Sequence, residues 1–139
     1  MKLKVILDEG AKMPTKAHET DAGFDIYAPK RIVLHSRDSA TIDTGVHIEI
    51  PKGYVGFLKS KSGLNVKCGI TGEGVIDAGY TGSIVAKLYN NSYETIYIEK
   101  DQKIIQIVFL PIPDVELEQV DRFAETERGA NGFGSSGKF

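Results

Sequence analysis

Cysteine, tryptophan and long apolar runs are scarce or missing in this chain. Its 139 residues include one cysteine, Cys68, which excludes an internal disulfide and which we interpret as a small apolar side chain rather than a nucleophile. The histidines His18, His35 and His47 are scattered and show no metal-ligand spacing. No apolar run reaches the roughly 18 residues that a membrane span requires, and the N-terminus lacks a signal-peptide pattern. We therefore expect a cytoplasmic protein without a membrane partner.

Positive charge is not in excess either. The chain has 17 Lys and Arg residues against 19 Asp and Glu residues, a formal net charge of −2, and no basic run. A protein that binds a nucleic-acid polymer needs cations along a row of phosphates, so this balance argues against such a partner. The content of 41% hydrophobic and 26% charged residues is typical of one ordinary globular domain.

Short β-branched and aromatic runs, separated by turn residues, predict an all-β fold. Roughly ten strands at this spacing are typical of a sandwich or jelly roll. The one plausible helix begins at Ser60 or Ser62 and ends at Lys67. The predicted strands cover residues 3–7, 24–27, 31–34, 40–42, 46–50, 53–58, 75–76, 84–89, 95–98 and 103–109.

Glycine and serine are concentrated in residues 127–137, where they predict a phosphate cradle. Four glycines and two serines leave the backbone free to turn successive N–H groups toward an anion, and Arg128 adds a charged fork. Residues 132–138 match the start of a nucleotide-binding P-loop, but Phe139 stands where that motif needs Ser or Thr. We predict a flexible tail that closes over a phosphorylated ligand and stacks Phe133 on it. The alternative is a disordered Gly/Ser tail that has no function.

Residues 72–80 carry a second chemical signal. Two strand pieces joined by turn residues predict a hairpin with Asp77 and Tyr80 at its mouth. Such a hairpin can present backbone N–H and C=O groups to the edge of a base, and Asp77 can then act as a general base for a water. The alternative is that residues 77–79 form only an Asp-initiated turn.

Two further segments bear charge. Residues 59–63 bring two lysines next to the first amides of the predicted helix, where an anion fits; a solvated basic loop is the alternative. Asp25 is an acid on an otherwise apolar strand. It either caps local backbone or helps to hold a cation or a water.

Taken together, five segments resemble in order the five motifs of the homotrimeric dUTPases, over residues 13–137. The segments are DAGFDIYA at 21–28, KSG at 61–63, GVIDAGYTG at 74–82, KIIQIVF at 103–109 and RGANGFGSSG at 128–137. The resemblance implies a jelly-roll body of residues 1–122 and a flexible Gly/Ser-rich arm of residues 123–139. It also implies a homotrimer with three shared active sites, each built from residues of all three chains, in which this arm closes over the active site of a neighbouring subunit.

The resemblance also implies a reaction and a role for each site residue. The reaction converts dUTP and water to dUMP and pyrophosphate by attack on the α-phosphorus, which keeps uracil out of DNA and supplies dUMP for dTMP synthesis. Asp77 becomes the base, and Tyr80 packs under the deoxyribose where a 2′-hydroxyl would clash. Asp25 assists through water a Mg²⁺ ion held mainly by the triphosphate. The implied uracil contacts are Gly72, Glu73, Gly74, Val75 and Phe133. The implied phosphate ligands are Lys61, Ser62, Gly63, Gln106, Arg128, Ser135 and Ser136.

The chain departs from the family pattern at several positions. Lys61 replaces the usual arginine of the second motif, so a bidentate phosphate contact becomes a point charge. Gly79 stands where an acidic residue is common, Asp101 where a glycine usually turns the chain, and Ser136 where threonine is usual. None of these changes removes a catalytic group.

Two other functions stay open at this point. A dCTP deaminase of similar fold attacks the base instead of the phosphate and needs a base-facing glutamate, for which Glu73 is the candidate. A dUTPase with an added regulatory protein-binding role is the second alternative, with an unknown partner.

Overall fold

A computed structural model describes residues 1–138 of the chain and contains eleven strands and one short helix. The strands are β1 (Val5–Leu7), β2 (Gly23–Tyr27), β3 (Ile32–Leu34), β4 (Ser39–Asp43), β5 (Val46–Ile48), β6 (Tyr54–Ser60), β7 (Ile70–Thr71), β8 (Gly74–Ile76), β9 (Val85–Asn90), β10 (Ile96–Ile98) and β11 (Lys103–Pro111). The helix α1 is Ser62–Cys68. None of the described helices is long and apolar enough to cross a bilayer. The prediction of an all-β fold is confirmed.

The strands form antiparallel sheets around one core, in a jelly roll. One sheet has the order β2-β11-β6-β8, a second has the order β4-β9-β7, and β1 with β5 and β3 with β10 form two-stranded ribbons. Strand β11 lies at the centre of the first sheet, where it pairs with β2 on one side and β6 on the other. This sheet therefore brings three of the five predicted motifs side by side.

The core is built mainly from isoleucine and leucine. Strand β9 alternates exposed and buried residues over its whole length, as expected for a strand with one face on the core. The side chains of Ile26, Leu58, Leu88 and Ile105 are fully or almost fully buried. Cys68 packs partly buried against this cluster, which confirms that it lies with apolar neighbours.

The predicted helix is confirmed, and its ends have physical reasons. It begins at Ser62 and ends at Cys68, and it is capped by Gly69, whose φ of 68° lies in the left-handed region that favours glycine. The Gly69 N–H donates to the carbonyl of Asn65, which satisfies one of the last backbone acceptors of the helix.

The prediction of a hairpin in residues 72–80 is wrong. Strand β8 pairs with β6, whereas β7, which the sequence pattern missed, pairs with β9 in the other sheet. The chain therefore crosses between two sheets at Gly72 and Glu73 instead of folding back on itself. A Cβ on Gly72 would lie 3.0 Å from side-chain carbons of Leu88 and Ile105, so this crossing has room for glycine alone.

Beyond β11 the described chain, residues 112–138, forms no helix or strand, and every side chain in it is exposed. It includes apolar side chains such as Val115, Leu117 and Phe123, which are 70%, 94% and 89% exposed. Phe139, the last residue of the predicted arm, lies outside the described residues. The division into a body of 1–122 and an arm of 123–139 stays a prediction.

Candidate active site

A buried carboxylate on β2 joins two motifs of the first sheet. Asp25 is 4% exposed, and its Oδ2 lies 2.8 Å from the Nζ of Lys103 on β11. Its Oδ1 accepts a hydrogen bond from the Nζ of Lys61, at the end of β6. Both oxygens of Asp25 are thus paired with ammonium groups, and the predicted phosphate ligand Lys61 is anchored to the predicted metal-assisting residue.

The two lysines decide the ionisation of Asp25. Burial alone would raise the pKa of this carboxyl group, but the hydrogen bonds and positive charge of Lys103 and Lys61 outweigh burial and hold the pKa below its ordinary value. The same contact raises the pKa of Lys103. The cluster therefore carries one negative and two positive charges, a net charge that suits an anionic ligand.

Ser62 and Gly63 follow Lys61 at the start of α1 and are exposed. A Cβ on Gly63 would meet no atom within 4 Å, so its backbone faces open space. On the neighbouring strand, the Gln106 side chain donates through Nε2 to the carbonyl of Ser60, at 3.1 Å. The structure thus collects Lys61, Ser62, Gly63 and Gln106 around one end of β6.

Ser60 fixes the start of the predicted uracil segment. Its hydroxyl donates to the carbonyl of Gly72 at 3.2 Å and accepts from the Gly72 N–H at 3.0 Å. Next to it, Lys59 binds both carboxylate oxygens of Glu73 at 2.8 Å. Glu73, the candidate for a base-facing glutamate, is therefore paired with a lysine of β6.

Asp77 and Tyr80 lie on one exposed turn that follows β8. The Tyr80 N–H donates to the Asp77 carbonyl at 3.2 Å, and the Tyr80 hydroxyl donates to the carbonyl of Ser83 at 2.9 Å. The Tyr80 ring lies so close to Gly82 that a Cβ there would be 2.6 Å from Cζ. The backbone turn expected at Asp77 is present, and its carboxylate is exposed on it.

Two departures from the family pattern have a backbone explanation. Gly79 has a φ of 85°, in the left-handed region that glycine adopts without strain. Asp101 has a φ of 63° in the turn before β11, where it keeps the left-handed conformation that glycine would supply. The turn that precedes Lys103 is thus retained without glycine.

Three predicted phosphate ligands of the tail lie together. Arg128, Ser135 and Ser136 line one depression of about 520 Å³ that is formed by residues 126–136 alone. The Arg128 Nε donates to the carbonyl of Asn131 at 3.1 Å, which folds this part of the tail on itself. Phe133 is fully exposed, so its ring packs on no neighbour in this protomer.

The described residues offer no group of three or more His, Cys, Asp or Glu side chains that could hold a metal ion. Asp25 is one carboxylate between two lysines, a donor set that fits an outer contact with a hydrated cation but no direct protein cage. Sequence reasoning missed Lys103, Ser60 and Lys59 as partners of the site residues. These three residues reach the site through the register between strands that are distant in the sequence, and no local spacing of residues predicts that register.

The fold and the site define a jelly-roll enzyme with a cationic cluster for an anionic ligand at one end of β6 and an exposed carboxylate on the turn after β8, toward the other end of β6. A family model for dUTPase matches residues 9–137. The chain therefore belongs to the dUTPase family, as its five motifs predict.

Individual relatives agree with this assignment. The chain is 40% identical to the deoxyuridine 5'-triphosphate nucleotidohydrolase of Clostridium tetani, over 99% of this chain and 97% of that protein. The dUTPase of Staphylococcus bacteriophage 80alpha with dUPNHPP matches with a TM-score of 0.90 and 37% identity, over 98% of both chains. Phage dUTPases such as this 80alpha protein are described as controlling the transfer of virulence genes by a proto-oncogenic G protein-like mechanism.

A dUTPase variant from phage phi11 of S. aureus matches with a TM-score of 0.83 and 35% identity, over 88% of this chain and 99% of that one. Its structure reveals the coordination of a structural Mg(II) ion. All three relatives are dUTPases, and none of them supports the deaminase alternative.

Proposed function

We propose that this protein hydrolyses dUTP to dUMP and pyrophosphate, with Asp77 as the general base for a water that attacks the α-phosphorus. The observation that carries the proposal is that Asp77 and Tyr80 share one exposed turn directly after β8. A base on that turn and a ring three residues later can contact the phosphate and sugar parts of one nucleotide. The cytoplasm, where deoxynucleotide precursors are made, is the proposed location.

The edge of β8 is the proposed reader of uracil. This strand is the last in its sheet, so one side pairs with β6 and the other side is open to a ligand. Backbone groups of Gly74 and Val75 on an open edge can pair with the donors and acceptors of a flat base, as a neighbouring strand would. Gly72 is held by Ser60, and Glu73 by Lys59, which supports a rigid segment.

The cationic cluster is the proposed phosphate site. Lys61 would exchange its contact with Asp25 for a phosphate oxygen, beside Ser62, Gly63 and Gln106. Asp25 would stay neutralised by Lys103 and would then accept a hydrogen bond from a water of Mg²⁺. When bound to the triphosphate, Mg²⁺ neutralises charge on the departing pyrophosphate.

The arm of residues 123–139 is proposed to close over the site of a neighbouring subunit in a homotrimer, with Phe133 over the base and Arg128, Ser135 and Ser136 on the phosphates. Two features support assembly. The stretch after β11 exposes apolar side chains such as Leu117, and an apolar cavity of about 450 Å³ opens between Met13, Phe24 and Phe109. Exposed apolar surface of this kind favours cover by another chain.

A pyrophosphate-release assay with dUTP, dCTP, dTTP and UTP tests the proposal. We expect turnover of dUTP far above that of the other three. Release of ammonia from dCTP would instead support the deaminase. All three relatives compared with this chain are dUTPases, which argues against that outcome.

A regulatory protein-binding role is the second candidate, because the 80alpha dUTPase, 37% identical to this chain, belongs to the phage enzymes described as controlling virulence-gene transfer. Its test is co-purification of host proteins with and without dUPNHPP. Binding that changes with the nucleotide would support the role, and the absence of any nucleotide-dependent partner would contradict it.

A further inference from the structure

His47 connects the loop that carries Tyr80 to the N-terminal part of the chain. It lies on β5 opposite Ile6 of β1, and its side chain is 25% exposed. Its Nδ1 is 2.8 Å from the carbonyl oxygen of Thr81, the residue that follows Tyr80. Its Nε2 is 3.2 Å from each carboxylate oxygen of Asp8.

Both partners of the His47 ring are hydrogen-bond acceptors. A neutral imidazole has one N–H and satisfies one of them, whereas the protonated ring has two and satisfies both. The Thr81 carbonyl raises the pKa of His47, and the Asp8 carboxylate raises it further. Asp43 adds a smaller effect in the same direction. The bridge from Asp8 to Thr81 therefore belongs to the protonated ring.

The position of Thr81 controls the position of Tyr80. The two residues are adjacent, and the Tyr80 ring lies against Gly82 while its hydroxyl donates to the Ser83 carbonyl. Ser83 is held in turn, because its hydroxyl donates to Asp43. His47 and Asp43 thus tether the loop on either side of Gly82, and the Tyr80 ring sits between the tethers.

We propose that His47 is a positioning residue that holds Thr81 and so fixes the Tyr80 ring against a 2′-hydroxyl on the sugar. The inference rests on the proposed function, since Tyr80 excludes ribose only in a dUTP-hydrolysing site. Its consequence is a selectivity for dUTP over UTP that depends on pH. Both hydrogen bonds of the bridge are present below the ordinary pKa of histidine, and one of the two is lost as the pH rises through the raised pKa of folded His47, so that Asp8 and Thr81 are no longer tied together.

The test compares kcat/KM for UTP with kcat/KM for dUTP between about pH 6 and pH 8.5. The ratio cancels the ionisation of the triphosphate, which is the same in both substrates. In the unaltered protein we expect the ratio to rise with pH. In His47→Gln we expect a ratio about fivefold higher at the low-pH end, the effect of about one hydrogen bond, and no further change with pH. His35→Gln is the matched control, since His35 is exposed and far from Tyr80 in the sequence.

A second measurement does not depend on any variant. In an NMR titration of the unaltered protein, the His47 ring should titrate at a higher pH than free histidine. A His47 that titrates at or below the pH of free histidine, or a His47→Gln ratio equal to that of the unaltered protein, overturns the inference. If Tyr80→Ala changes the ratio and His47→Gln does not, the positioning role of His47 is wrong but the proposed role of Tyr80 stands. If neither variant changes it, the proposed role of Tyr80 fails as well.

Discussion

Ser60 and Gly72 exchange two hydrogen bonds, so that one hydroxyl satisfies both backbone groups of the residue where the chain crosses between sheets. This pair fixes the start of the edge strand that we propose as the reader of uracil. The geometry makes Ser60 a support for the site, although the sequence motifs give it no role.

The first prediction concerns this pair. Ser60→Ala should leave the N–H and C=O of Gly72 without partners at a buried position, at a cost of about 1–3 kcal/mol in the free energy of unfolding. It should also raise KM for dUTP, because the uracil segment loses its anchor. Urea unfolding and steady-state kinetics measure the two effects. Ser60→Thr keeps the hydroxyl and serves as control; equal loss in both variants would contradict the account.

The second prediction concerns Lys61. Lys61→Ala should lower kcat/KM for dUTP at least about tenfold, or about 1.4 kcal/mol of transition-state stabilisation, because a cation beside the phosphates is lost. Lys61→Arg should preserve or raise activity, since it restores a bidentate fork. Equal rates for the unaltered protein and both variants would mean that Lys61 only neutralises Asp25.

The third prediction concerns Tyr80. Tyr80→Ala should let UTP compete better with dUTP, because the ring that excludes the 2′-hydroxyl is gone. Tyr80→Phe keeps the ring and loses only the hydroxyl that donates to Ser83, so it should retain most of the discrimination. The measurement is the inhibition of dUTP turnover by UTP. An unchanged preference in Tyr80→Ala would rule out the steric explanation.

The fourth prediction concerns the arm. Removal of residues from Ala130 onward should leave an assembly of unchanged size and nearly unchanged melting temperature, because the described side chains there, in residues 130–138, are exposed and contribute little to the core. Turnover should fall to a small fraction, since the proposed contacts of Phe133, Ser135 and Ser136 are lost. Gel filtration measures the size of the assembly, a thermal melt measures its stability, and the pyrophosphate assay measures turnover. Dissociation to monomers or full activity would refute a closing arm.

Local patterns in the sequence predicted most elements of the fold. The alternation along residues 84–89 and the serine at position 62 identify a strand and the beginning of a helix, because both are properties of neighbouring residues. The error at residues 72–80 has a physical cause. The partner of a short edge strand is chosen by the whole sheet, and β8 finds β6 instead of its own neighbours.

In the candidate site, too, local motifs were predicted from the sequence and contacts between distant strands were not. The motifs located Asp25, Lys61 and Gln106, yet no pattern indicated that Lys103 would share the carboxylate of Asp25, or that His47 would reach Thr81. Such contacts depend on strand register and on side-chain reach across a sheet. A single sequence contains no local signal for either.

The central claim is that Asp77 acts as the base for the attacking water, and its most direct test is Asp77→Asn. The amide keeps the shape of the side chain but cannot accept the proton, so dUPNHPP should bind with little change in affinity while turnover of dUTP falls about 10²- to 10⁴-fold. Asp101→Asn is the control, because Asn tolerates the left-handed turn and should keep full activity. Near-normal turnover by Asp77→Asn, or a large loss of binding, would contradict the account.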